Sequence, residues 1–161
     1  MDQTPDRTAF LWNVHSYVNE YIRFTDTKAE LVIGWTSAVA GALLAARFQD
    51  GFTTSFTGVL SFAGFMCLIA AFACAFHAVF PRLVTTNLAG FTFWRSILAH
   101  KSKEVFLARV SEQNTPQLER EVAGHIWDLS HVCDAKFACV NRSIVLAFVG
   151  SVLCGLMYLL K

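Results

Sequence analysis

Ahead of the first long apolar run of this 161-residue chain stand His15, Asn19, Arg23, Asp26 and Glu30, spaced four, four, three and four apart. On a helix these spacings place them on one face. His125, Asp128, Val132 and Lys136 repeat the pattern ahead of the last apolar run. Asp26 and Lys136 stand about three and six residues before their runs, at a height where a carboxylate and an ammonium can pair. Two readings stay open: a solvated face closed by a structural ion pair, or a ligand site between two helices. Phe91, Phe93, Trp94 and Arg95 join aromatic faces to a cation. Such a group can stack a base and meet a phosphate, and it can equally anchor a chain at a membrane interface.

Other chemistries find less support. His125 and His131 are six apart and His15 is alone on its segment, so no helical metal-ligand pair forms. There is no glycine-rich phosphate loop, no G-x-S-x-G and no paired acid and base, so the chain reads as a non-enzyme. Cys67, Cys74, Cys133, Cys139 and Cys154 show no C-x-x-C spacing and read as packing residues. A net charge of +1 leaves no broad basic surface for a nucleic-acid polymer. His77, near one end of an apolar run, is a functional candidate by its depth.

The elements that must position these residues follow from where the apolar residues sit. The chain is 55% hydrophobic and only 16% charged. A helix of roughly 20 apolar residues crosses the hydrocarbon core, and three such stretches occur. They are assigned to residues 29–48, 56–80 and 142–160, with Pro81 closing the second because it lacks the N–H that a continuing helix needs. Three helices apolar on every side could not all be covered by the little polar chain that remains. No cleaved leader is expected, since the first apolar run begins only after some 28 mixed residues. Arg7, Arg23 and Lys28 precede span one, and eight further Lys and Arg residues from Arg82 to Arg142 lie between spans two and three. Only Arg47 and Lys161 fall on the other side, so the positive-inside rule places residues 1–28 and 81–141 in the cytoplasm and the C-terminus outside.

Both cytoplasmic portions read as helical. Asp6 or Thr8 is the N-cap candidate of a helix feeding into span one, with Phe10, Val14, Val18 and Ile22 on its packed face. A short helix follows Ser102. Thr115 as N-cap and Pro116 at the first helical position then start a helix that runs unbroken to Leu160, its inner stripe Leu118, Val122, Ile126, Leu129, Cys133 and Phe137. The fold class is therefore an all-α integral membrane protein with three transmembrane helices and cytoplasmic helical extensions, spans one and three continuing long cytoplasmic helices. Gly34, Gly41, Ala45, Ala63, Gly64, Gly150 and Gly155 offer small surfaces for close helix contact, within one protomer or between protomers of a homo-oligomer.

An ordered set of motifs carries a resemblance over most of the chain. These are N-E-Y-I-R-F-T-D-T-K-A before span one, F-P-R after span two, F-T-F-W with a following short helix, and H-I-W-D-L-S-H-V-C-D-A-K-F before span three. Together they resemble the transmembrane Pycsar effectors. The resemblance implies a bacterial antiphage effector of the inner membrane that responds to cyclic CMP or cyclic UMP from a partner pyrimidine cyclase and then impairs the membrane. It further implies a cytoplasmic ligand site drawn from Asn19, Asp26, Lys28, Arg82, Phe93, Ser130 and Lys136. Lys136 or Arg82 would meet the phosphate, Asn19 or Ser130 the base edge, and Phe93 would stack. The rival expectation is a small oligomeric channel or scaffold without a nucleotide ligand, in which Asp26 and Lys136 merely lock the helices.

Overall fold

The computed structural model describes residues 6–50, 56–80 and 91–160. Among them the elements are five helices: α1 (Arg7–Asp50), α2 (Phe56–Val79), α3 (Trp94–Leu98), α4 (Lys103–Ser111) and α5 (Thr115–Leu159). No strand occurs among the described residues.

The starts of α1, α4 and α5 each have a local cause. Asp6 Oδ1 accepts the backbone N–H groups of Thr8 (3.1 Å) and Ala9 (3.2 Å), so Asp6 rather than Thr8 caps α1. Ser102 caps α4, its hydroxyl accepting from Val105 N at 3.4 Å. That hydroxyl also donates to the Glu104 carboxylate and holds it below the usual range. At α5 the expected cap is corrected by one residue. Asn114 Oδ1 accepts from Gln117 N (3.0 Å) while Gln117 Oε1 accepts from Asn114 N (2.9 Å), a reciprocal capping box. Asn114 is the better cap because its amide oxygen reaches the third residue onward, and Thr115 becomes the first helical residue.

The chain separates into two compact units, Met1–Ile22 with Arg82–Cys133 and Arg23–Pro81 with Asp134–Lys161. Helices α1 and α5 contribute residues to both.

The second unit holds the apolar bundle. Its three helices are long and apolar enough to cross a membrane, with mean hydropathy of 1.3, 2.3 and 1.8 over their most apolar stretches. Large apolar side chains face outward, Phe56, Phe62, Val145 and Phe148 among them. That inversion of a soluble surface is what lipid requires. The buried positions are spaced by three and four residues, with one step of seven between Thr36 and Leu43 on α1. They are Thr25, Ala29, Val32, Thr36 and Leu43 on α1; Ser61, Gly64, Leu68, Ala71, Ala75 and Ala78 on α2; and Lys136, Val140, Ser143, Ala147, Gly150, Cys154 and Met157 on α5. A repeat of 3.5 residues keeps one stripe of each helix on the seam and imposes a left-handed coil. Most of these residues are small, so the backbones approach closely.

Two glycines set that approach. A Cβ on Gly64 would come within 2.8 Å of Cys154 Sγ and 3.1 Å of the Gly150 carbonyl oxygen. One on Gly150 would lie 2.9 Å from Leu68 Cγ and 3.0 Å from the Gly64 carbonyl oxygen. Around Gly34, Gly41 and Gly155 there is open space. The hydroxyls on the seam satisfy themselves. Thr36, Ser143 and Ser151 each donate to a carbonyl three or four residues earlier at 2.7 Å, which matters where no water is available. Trp35 Nε1 donates to Ser151 Oγ at 3.0 Å and so ties α1 to α5.

Candidate functional site

In the first unit α1 and α5 bring two histidines together. The His15 and His125 rings lie 5.5 Å apart, Trp12 sets its edge on His15 at 5.6 Å, and Phe93 stands 6.3 Å from His125. The Asn19 amide nitrogen is 3.2 Å from His15 Nε2, one turn along α1. Three further rings pack beside them: Phe91 stacks on His100 at 6.0 Å and meets Phe106 at 6.3 Å, and His100 and Phe106 lie 5.4 Å apart.

Five of these rings, with residues around them, wall a cavity of about 440 Å³. Trp12, His15, Phe91, Phe106 and His125 supply flat faces, Leu11, Val110, Leu118 and Val122 the aliphatic wall, and Glu119 and Glu121 carboxylates. The size and largely apolar lining with a few polar groups are those of a small-molecule site. Glu119 Oε1 accepts from the Thr8 hydroxyl at 3.0 Å, which fixes that carboxylate. Burial pushes the His125 imidazole below its ordinary pKa, repulsion from His15 adds to the shift, and Asp128 opposes it.

In the second unit Lys136 Nζ lies 2.5 Å from Asp26 Oδ1, with the lysine side chain 9% exposed and the aspartate 31%. Lys28 places its ammonium 4.3 Å over the Phe24 ring and 5.7 Å from that of Phe137.

The seven residues expected at a ligand site thus fall into groups. Asn19 and Phe93 adjoin the histidine pair, and Asp26, Lys28 and Lys136 cluster in the other unit, where Asp26 and Lys136 engage each other. Ser130 is exposed and its hydroxyl donates to the Ile126 carbonyl at 2.8 Å. Arg82 lies outside the described residues. Of the α1 face, Arg23 and Glu30 point outward while His15, Asn19 and Asp26 turn inward. Helical geometry explains the split: eleven residues make about three turns, so Asp26 returns to within ~20° of His15, whereas Arg23 and Glu30 drift further round. Phe10 is likewise exposed, and Leu11 takes its place on the packed face with Val14, Val18 and Ile22. His77 lies on the exposed side of α2.

The cavity itself is not written in the sequence as a motif. Its lining comes from three separate stretches, Thr8 to His15, Phe91 to Val110 and Thr115 to His125, and the residues that form it are ordinary core types. The available signal is a histidine at the end of an apolar pattern on each helix, Leu11 to His15 and Leu118, Val122 to His125.

Fold and site define an all-α membrane protein whose ligand-sized cavity is built partly from the same two helices that supply two of its spans. The model of the Pycsar effector protein domain, PycTM, matches residues 10–161, and the chain belongs to this family of antiphage defence effectors. It is 25% identical over 135 residues to the Pycsar effector protein SaPycTM of Staphylococcus aureus, covering 84% of each chain. No solved structure matches it. The family implies an operating signal, a cyclic nucleotide made by a partner cyclase.

Proposed function

We propose that this protein senses a cyclic pyrimidine mononucleotide, cyclic CMP or cyclic UMP, in the bacterial cytoplasm and responds by impairing the inner membrane, so that an infected cell dies before phage matures. The observation that carries the reading is the continuity of α1 and α5. Each is a single helix bearing polar and aromatic chemistry in one unit and a buried seam of the apolar bundle in the other. A ligand that prefers one arrangement of these helices in the first unit shifts the population of arrangements available to the spans.

The chemistry of the ligand suits what the chain offers. A cyclic mononucleotide needs faces for its base, donors and acceptors for the base edge, and a cation for one negative charge. Asn19 and Phe93 stand beside the histidine pair as base contacts. Lys136, Lys28 and Arg82 are the candidate cations, and Asp26 and Ser130 complete the polar set. The positive-inside rule puts these residues on the cytoplasmic side, with the N-terminus inside and the C-terminus outside. Homo-oligomerisation of the spans belongs to the same reading.

The test is reconstitution. Protein in dye-loaded liposomes of bacterial phospholipid is exposed to cyclic CMP, cyclic UMP, cyclic AMP and buffer. Dye release or loss of membrane potential with a cyclic pyrimidine nucleotide alone supports the reading. Release that is equal in buffer, or absent with both pyrimidine nucleotides, makes the chain a ligand-independent channel or scaffold instead.

A further inference from the structure

The cavity of the first unit has a property that the function above does not require. Among the described residues that line it there is no lysine or arginine, while Glu119 and Glu121 contribute carboxylates. A cyclic phosphate placed there would meet like charge in an apolar setting. A base would not, because the walls offer it aromatic faces.

We propose that the cavity seats the base and leaves the phosphate outside, and that Glu119 selects cytosine over uracil. The proposal rests on the nucleotide-sensing reading and specifies its ligand. An ionised carboxylate only accepts hydrogen bonds. Cytosine carries an exocyclic amine at position 4, which acts only as a donor because its lone pair is delocalised into the ring, and carboxylate side chains are its ordinary partner. Uracil carries a carbonyl oxygen at that position, which a carboxylate repels. The one ring N–H of uracil is flanked by two carbonyl oxygens, so turning the base brings the repulsion along.

The structure favours Glu119 as reader because its position is fixed. Thr8, on α1, donates to one of its oxygens at 3.0 Å, and a carboxylate has room for about four such bonds. A carboxylate held by Thr8 at the wall of an aromatic pocket is oriented before the ligand arrives, which favours discrimination over mere attraction. His125, whose charged form burial disfavours, adds a flat face for stacking to the cavity wall.

Calorimetry on the full chain in lipid nanodiscs tests this with cyclic CMP, cyclic UMP and the uncharged nucleoside cytidine. The expected result is cyclic CMP bound at least about tenfold more tightly than cyclic UMP, with cytidine competing for the same site. Glu119→Gln, whose amide can donate to a carbonyl, brings the ratio toward one or reverses it. Leu118→Trp, which fills the cavity, weakens both nucleotides, and circular dichroism verifies that the variant is folded. Equal affinity of the wild-type chain for the two nucleotides, or a ratio unchanged in Glu119→Gln, overturns the cavity assignment while nucleotide sensing stands. Binding of neither nucleotide by the wild-type chain overturns the sensing reading, and this assignment with it.

Discussion

Lys136, the first buried position of the α5 seam, sets its ammonium 2.5 Å from the carboxylate of Asp26 on α1. Every later position on that seam is apolar or small: Val140, Ser143, Ala147, Gly150, Cys154 and Met157. A lysine in such a series is tolerated because its charge is met at once, and because Asp26 keeps partial access to water. Sliding α5 by one turn would place an ammonium against apolar side chains, so the pair fixes how the two helices align.

Removing the carboxylate while keeping its shape isolates this effect. Asp26→Asn leaves a nearly buried ammonium without countercharge and lowers stability by about 1–3 kcal/mol, between the values for exposed and buried pairs. The double variant Asp26→Asn with Lys136→Met recovers most of the loss. Thermal unfolding in detergent micelles checks both. If the double variant is no better than the single, Lys136 does not depend on Asp26 for its burial.

The glycines separate by position. Gly64→Ala and Gly150→Ala force a methyl into contacts of about 3 Å and destabilise the bundle by roughly 1–3 kcal/mol each. Gly41→Ala meets open space and improves helix propensity, so it is neutral or gains up to ~1 kcal/mol. The same melting experiment reads all three, and an equal response of Gly41 and Gly64 would contradict the seam.

Acidification should loosen the first unit. His125 has a folded pKa below the ordinary 6.5, so above that pH it is neutral in both folded and unfolded chains and contributes no pH dependence. As pH falls from 6.5 toward the lowered folded value, the unfolded chain takes the proton first, and stability is lost across that window. The melting midpoint measured from pH 8 to pH 5 declines below about 6.5, and His125→Gln flattens that part of the curve. An unaltered slope in the variant would assign the decline to other groups.

The membrane class and the two long helices were legible because they rest on composition over many residues. An uncharged run from Ser143 to Leu160 has few other destinations. Finer features failed where neighbouring residues have similar chemistry. Thr115 and Asn114 are both good caps, and only the reach of the amide to Gln117 separates them. Phe10 and Leu11 are both apolar, and the turn of α1 selects Leu11. Gly34, Gly41, Gly64 and Gly150 look alike in sequence, yet only the last two touch another backbone. The pairing of Asp26 with Lys136 is legible because opposite charges stand a short way before two spans that run in the same direction. That of His15 with His125 is not, since two imidazoles carry neither opposite charge nor a ligand spacing that would single the pair out.

The Gly64 and Gly150 contact also bears on how such a protein can change over generations. Defence proteins meet adversaries that vary, and variation must be admitted somewhere. At these two positions every substitution adds at least a methyl where the facing backbone leaves no room for it. The surfaces of α3 and α4 carry no such constraint. Change is thus admitted more readily on those exposed surfaces, while two hydrogen atoms hold the seam of the bundle constant.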